Sequence, residues 1–414
     1  MKRNTILTRV VPALVAMGAL GALSVMSATA APAHKSATKL TIWTWDVDQQ
    51  KTGDATFAKN HSDITLNYVK LATADLYQKM QLAAASGSGL PDVVLLEDSH
   101  IAQIAKLGVL ADITSLATKY KKKFVAAKWQ QNTLNGKIYG FPWDIGPVAM
   151  YYRRDILQKA GVNPNSLTTW AKWIAAGSKI KAATGADLWY QAKAQNDGRF
   201  FETLLWQQGS GYINAKGAVT LDKDPRALAA LNLLGDGWKK GVLGDVPEWG
   251  DPWYKGINTG QVATLPMAAW MGGFLESWLA PDGKGKWGVV KLPAFKAGGS
   301  RSANDGGSDL AITKTADKTA AWAYVQNLLA NPAVQAEVWK RSGFFPSLLQ
   351  SWNSTFTTKA DPYFGGQAIQ KVFAEAAKAI PAAYVYSADY QQMNSVMNAE
   401  IQKFALGKET AQQA

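Results

Sequence analysis

The chain has 414 residues, 47% hydrophobic and 18% charged, with 44 basic against 31 acidic side chains and a net charge of +13. It is longer than one compact core usually covers and too apolar to be disordered, so two folded domains are expected. The absence of cysteine excludes disulfides, thiolate metal sites and cysteine nucleophiles, and the three histidines, His34, His61 and His100, show no metal-ligand spacing.

Residues 1–30 read as a secretory signal peptide: a basic start, an apolar run from Val10 to Met26, then Ala28-Thr29-Ala30. Its removal takes away Lys2, Arg3 and Arg9, leaving 41 basic against 31 acidic residues, a net +10. Residues 31–39 read as a linker. No later stretch is long and apolar enough to span a membrane, so the mature protein is expected to be exported and soluble. The basic residues are scattered, and the densest run, Lys121-Lys122-Lys123, reads as a solvated helix face and not as a nucleic-acid footprint.

Leu40–Trp45 alternates as a β-strand should, and Asp46 follows at its C-terminal end, where open α/β sheets place ligand contacts. Residues 49–59 look helical, Ile64–Leu71 is a second strand, and Asp75–Ala85 has helical spacing up to the Ser86-Gly87-Ser88-Gly89 turn. That turn lacks the Lys-Ser/Thr of a phosphate-binding loop. Pro91–Leu96 is a fully apolar strand, the signature of a central parallel strand. Glu97 and Asp98 follow it. Two carboxylates there can be hydroxyl acceptors, a helix cap or a general acid–base pair. Neighbouring side chains on a strand point to opposite faces, so both cannot address one substrate bond.

Gly136–Leu157 is the stretch around which the chain is organised. It opens on an Asn135-Gly136 turn and is interrupted by Pro142, Gly146 and Pro147. Prolines remove ladder hydrogen bonds, so such a segment does not fit the middle of a sheet but fits a crossing between two sheets. Trp143 and Asp144 fall at that break and are expected to face a cleft between two lobes. Beyond it, Asp155–Ala160, Thr168–Thr184, Arg199–Gln208 and Pro225–Lys240 read as helices, and Leu188–Gln191, Val262–Met267, Trp287–Pro293 and Asp309–Ile312 as strands. Gly343-Phe344-Phe345-Pro346 is a second Pro-marked break, and Met393–Leu406 is the final helix.

Rings recur at these strand ends and crossings: Trp45, Trp143, Trp270 and Phe344/Phe345, beside aspartate or glycine. A wet tryptophan is costly unless something flat covers it. Sugar rings offer such apolar faces, and neighbouring carboxylates take their hydroxyls. Nucleic-acid bases could stack too, but acidic neighbours would repel phosphates.

The stretches LTIWTWD, YQKMQLAAASGSGLPDVVLLEDSHIAQIAKLGVLADIT, GKIYGFPWDIGPVAMYYRRDILQKAGV and GGSDLAITKTADKTAAWAYVQNLLANPAVQAEVWKRSGFFPS, in that order, resemble the family 1 extracellular solute-binding proteins of ABC importers. The resemblance implies an α/β, two-lobed, type II periplasmic-binding-protein-like fold, each lobe a mostly parallel sheet flanked by helices, with a hinged cleft between. It implies an N-lobe of residues 38–147 plus 305–346 and a C-lobe of 148–304 plus 347–414. It also implies a mono- or oligosaccharide ligand, a membrane permease as partner, no cofactor, no metal, no nucleic acid and a monomer. By position, the ligand-binding residues carried over are Trp45, Asp46, Glu97, Asp98, Trp143, Asp144, Trp270, Asp305, Gly307 and Phe344, with Trp206, Trp249 and Trp253 as weaker additions. Many Gram-positive members carry a lipobox cysteine, which this chain lacks, so the mode of retention at a cell surface or in a periplasm is open. The rival readings are a secreted glycosidase using Asp46, Asp98 or Asp144, a binding protein for a non-sugar solute, and a basic surface-attachment protein.

Overall fold

The computed structural model describes residues 38–194, 198–214, 216–381 and 384–414. The expected signal peptide and residues 31–37 of the linker lie outside the described residues. In chain order the first strands are β1 (Thr38–Thr44), β2 (Ile64–Lys70), β3 (Val93–Glu97), β4 (Thr133–Leu134), β5 (Lys137–Ile138) and β6 (Gly140–Pro142). They are followed by β7 (Val148–Arg153), β8 (Trp189–Tyr190), β9 (Leu243–Gly244), β10 (Thr264–Ala268), β11 (Trp287–Val290) and β12 (Ser308–Ile312). Helices fill most of the connections.

The larger sheet has the order β2-β1-β3-β12-β6. β1 runs parallel to β2 and β3, whereas β12 runs antiparallel to both β3 and β6. The apolar run of β3 sits at the centre because both of its faces are covered. Val93 and Leu95 pack into a core with Leu40, Ile42, Phe141 and Leu310. Val94 and Leu96 pack on the opposite face against Leu76, Met80 and Ile101, as a period of two requires. Pro142 lies in β6 at the sheet edge, where its missing N–H costs no ladder bond. The Asn135-Gly136 turn closes the β4–β5 hairpin with both residues at positive φ, 51° and 76°.

The second sheet departs from expectation. Its order is β10-β7-β11, and both pairings are antiparallel. A mostly parallel sheet is therefore right for the β2-β1-β3 portion and wrong here. The cause is instructive. All six residues of β7 are buried, so it reads as an apolar run, and an apolar run reports coverage of both faces but not the direction of its neighbours. β10 and β11 do run parallel to each other, but β7 lies between them.

Two passages, at residues 143–148 and 303–308, connect the two sheets, and a third, at residues 345–347, runs beside them between helices; the three are hydrogen-bonded into one ribbon. Trp143 N–H donates to Ser308 O at 3.1 Å, Ile145 N–H to Phe345 O at 2.9 Å, and Ser347 N–H to Trp143 O at 2.9 Å. Asp305 N–H donates to Gly146 O at 2.8 Å and Val148 N–H to Ala303 O at 3.0 Å. The two Pro-marked breaks, around Asp144 and Pro346, pair with each other directly. Breaks in the sequence thus mark where the chain passes between the two sheets.

Candidate functional site

The ten residues singled out by the sequence fall into three places. The first is buried beneath the crossing ribbon. Asp98 opens the helix Asp98–Lys106 and is 2% exposed, and its carboxylate pairs with Lys128. Lys128, on the helix Ala126–Gln131, is itself buried and lies 3.0 Å from Asp309 Oδ1. Asn132 Nδ2 donates to the same oxygen at 2.6 Å. Asp144 accepts from Ser308 N–H at 2.8 Å and from the Ser308 hydroxyl at 2.5 Å. Gly307 sits against all of these at φ +127°, where a Cβ would come within 2.9 Å of Asp98 Oδ2 and 3.2 Å of Lys128 Nζ, so only glycine fits.

Burial alone would push the Lys128 ammonium down, but the charges of Asp309, Asp98 and Asp144 outweigh it and raise it above its ordinary value. Burial pushes Asp309 well above the carboxylate range despite Lys128, and Asp98 adds to the push. Burial also raises Asp144, against the pull of Lys128 and Ser308. The expectation that Trp143 and Asp144 face a cleft is corrected by these contacts. Trp143 is 1% exposed: the passages at 308 and 347 bond to its backbone from two sides, and its ring packs in the larger-sheet core with Phe344 edge-on at 6.3 Å. Asp98 and Asp144 are held inside by partners that are remote in sequence.

The second place bridges elements of the two sheets. Glu97, with a side chain 40% exposed, lies 3.4 Å from His100 Nδ1 and accepts from the Tyr77 hydroxyl at 3.2 Å. His100 stacks on Tyr77 with ring centres 3.6 Å apart and lies 3.1 Å from Gln391 Nε2 on the helix Tyr390–Ala405. Burial works to raise Glu97, but the His100 contact and the charge of Arg199 outweigh it and leave the carboxyl below its ordinary value. Arg199 Nη1 donates to Asp305 Oδ1 at 3.1 Å, and Trp270 Nε1 donates to Asp305 O at 3.0 Å. Glu97 and Asp98 thus take different partners, Tyr77 and His100 for the first and Lys128 for the second.

The third place is a groove of about 800 Å³. Trp45, Asp46 and Phe344 line it from the larger-sheet side, and Phe274, Glu276 and Trp278 line it from the side of the second sheet. Asp46 accepts from Gln49 N–H at 3.2 Å, and burial raises its carboxyl above the ordinary value. The rings continue away from the groove: Phe274 lies 5.5 Å from Trp270, which lies 5.8 Å from Trp249. Trp249 carries φ +62°, a conformation unusual for a bulky residue. Trp206 and Trp253, the weaker additions, are core: Trp206 stacks on Tyr384 and Trp253 is fully buried.

Trp45, Asp46 and Phe344 therefore share the groove, Glu97, Trp270 and Asp305 share the bridge, and Asp98, Trp143, Asp144 and Gly307 lie in the ribbon and its buried cluster. Sequence reasoning missed Lys128, Arg199, Asp309 and Gln391. Lys128 sits between buried Ala127 and Trp129, and a lysine inside an apolar helical stretch is the one local sign that it needs a partner. Nothing local names that partner. Among the described residues no cluster of three His, Asp or Glu could hold a metal, and no helix is long and apolar enough to cross a membrane.

Residues 39–335 match the family model for bacterial extracellular solute-binding proteins. The chain is 30% identical over 365 residues to the lactose-binding protein of Rhizobium radiobacter, covering 84% of this chain and 83% of that one. It is 29% identical over 340 residues to the arabinooligosaccharide-binding protein of Bacillus subtilis, covering 79% and 77%. The ABC-transporter-associated binding protein of B. animalis subsp. lactis, solved with β-1,6-galactobiose, superposes with a TM-score of 0.75 at 26% identity, over 91% of this chain and 94% of that one.

Proposed function

The chain belongs to the family of bacterial extracellular solute-binding proteins, and from that premise we propose that it captures an oligosaccharide outside the cytoplasm and delivers it to the permease of an ABC importer. In this reading the lobes are residues 38–147 plus 305–346 and residues 148–304 plus 347–414, hinged at the crossing ribbon. The sugar lies between them, and the protein binds without turning it over. The observation that carries the reading is the groove, where Trp45, Asp46 and Phe344 from one side meet Phe274 and Trp278 from the other. Flat rings cover the apolar faces of a pyranose or furanose, and the raised Asp46 carboxyl accepts a hydroxyl. A ligand touching both walls stabilises the closed state because it contacts both only there. Closure about a hinge is the general behaviour of periplasmic binding proteins, and it is carried over to this chain with the family.

The test is titration calorimetry of single variants with whichever oligosaccharide binds. Trp45→Ala and Asp46→Asn are each expected to weaken binding by about 1–2 kcal/mol, roughly 5- to 30-fold, with unchanged circular dichroism. Affinity unaffected by both would remove the groove from the site.

A further inference from the structure

The outer edge of β11 is covered by side chains in place of another strand. β11 is the edge of the second sheet, and residues 286, 288 and 290 turn their backbones toward β7, as the Arg154 N–H to Lys286 O bond shows. Residues 287, 289 and 291 face outward. Arg154 Nε donates to Trp287 O at 3.0 Å, the Gln367 amide both donates to and accepts from Val289, and Arg301 Nη2 donates to Lys291 O at 2.9 Å. Arg154 is fixed further by the Tyr152 hydroxyl, Phe364 O and Gln367 Oε1, and Arg301 by Leu292 O.

Every one of these acceptors is neutral. Among the described residues neither guanidinium has a carboxylate within 4.0 Å, and burial pulls Arg301 below its ordinary value. Both arginines, with Lys291, line one open hollow of about 600 Å³. Among the described residues, Lys291 is the only one of the three with a counter-charge, Glu375 at 2.8 Å across an exposed rim. Two guanidiniums held rigid by carbonyls and short of negative charge, with about one N–H left over on Arg154 and about three on Arg301 out of roughly five each, form a receptor for oxyanions. Their anchor points, Trp287 O and Lys291 O, are four residues apart, about 13 Å along a strand. One small oxyanion cannot reach both, whereas a linear chain of anionic groups can.

We infer that the β11 edge, with Arg154, Lys291 and Arg301, binds a linear polyphosphate chain. The hollow runs from Arg154, at the end of β7 away from the crossing ribbon, to Arg301, two residues before Ala303 in it, and it shares no lining residue with the groove, so its occupant and the solute in the groove do not compete for the same side chains.

The test measures binding of a long-chain inorganic polyphosphate to the mature protein between about 50 and 200 mM salt, by fluorescence anisotropy of the end-labelled polymer. The variants are Arg301→Gln with Lys291→Gln, and separately Arg154→Gln. The expected result is a log–log salt slope that falls by about one for each charge removed, and affinity reduced roughly tenfold or more in the double variant. Lys291→Gln alone, at an exposed rim, is the control whose folding is not in question and should lower the slope on its own. Unchanged slopes in all three variants would overturn the inference. Competition by millimolar orthophosphate as strong as that by an equal phosphate concentration of polymer would also overturn it, by showing a site for one small anion.

Discussion

Replacing Lys128 by methionine is expected to cost the folded protein about 3–5 kcal/mol, the range for stranding one partner of a buried ion pair. The ammonium is fully enclosed and serves Asp98 and Asp309, with Asp144 near enough to be felt. Methionine fills the volume but leaves a carboxylate charge in an apolar interior beneath the crossing ribbon. Equilibrium urea unfolding measures the loss. Two further observations separate charge from packing. The loss should shrink as the pH is lowered into the carboxylate range, because protonation removes the stranded charge. Adding Asp98→Asn to Lys128→Met should recover part of it. A loss below about 1 kcal/mol, or one independent of pH, would mean the cluster is not the electrostatic unit its geometry describes.

The second large effect is expected from Gly146→Ala. A Cβ at this position would fall 1.9 Å from Asp305 O and 2.7 Å from its carbonyl carbon. Those are backbone atoms of the neighbouring passage, and they move only if the ribbon opens. Gly146 O also accepts from Asp305 N–H, and its own N–H donates to Asn304 Oδ1 at 3.0 Å. Overpacking of this kind costs about 1–3 kcal/mol or more. The displaced residue, Asp305, anchors Arg199 and Trp270, so solute affinity should drop by an order of magnitude or more beside the loss of stability. Gly250→Ala is the matched control: its backbone is extended and the nearest atom to a new Cβ is 3.8 Å away. Thermal unfolding and calorimetry on the pair test the point. Equal behaviour of the two variants would show that the ribbon is not tightly packed.

The crossing was legible because prolines and glycines speak for themselves. Pro142, Gly146 and Pro147 together keep the segment out of the middle of a sheet and fit a crossing, and the structure adds that Pro142 is at an edge and Gly146 at a close approach. The apolar run of β3 announced a buried central strand for the same local reason. What stayed hidden depends on pairs distant in sequence. The antiparallel direction of β10 and β11 is set by where their connections deliver them, and β7 shows only that it is covered. The ion cluster joins residues 98, 128, 144 and 309, and no local pattern says that Lys128 is the counter-charge for two aspartates. Acidic residues at strand ends look alike in the sequence, where cap, hydroxyl acceptor and acid–base roles all stay open for Asp98. They proved to be of two kinds: Asp46 opens on a groove, and Asp98 and Asp144 turn inward. Tryptophans divide in the same way. Trp45 and Trp278 are accessible in the groove, whereas Trp143, Trp206 and Trp253 are core, and residue type alone does not separate them.

The most direct measurement is a thermal-shift screen of the mature protein against mono- and oligosaccharides, with the sugar recovered and its chain length determined after every hit. A ligand that binds only the folded state, present at roughly 100 times its dissociation constant, adds about 2.7 kcal/mol, which reads as a clearly raised midpoint. The account predicts a raised midpoint with an oligosaccharide that is recovered intact. A sugar returned cleaved, or a panel of sugars without effect while a non-sugar solute raises the midpoint, would contradict it.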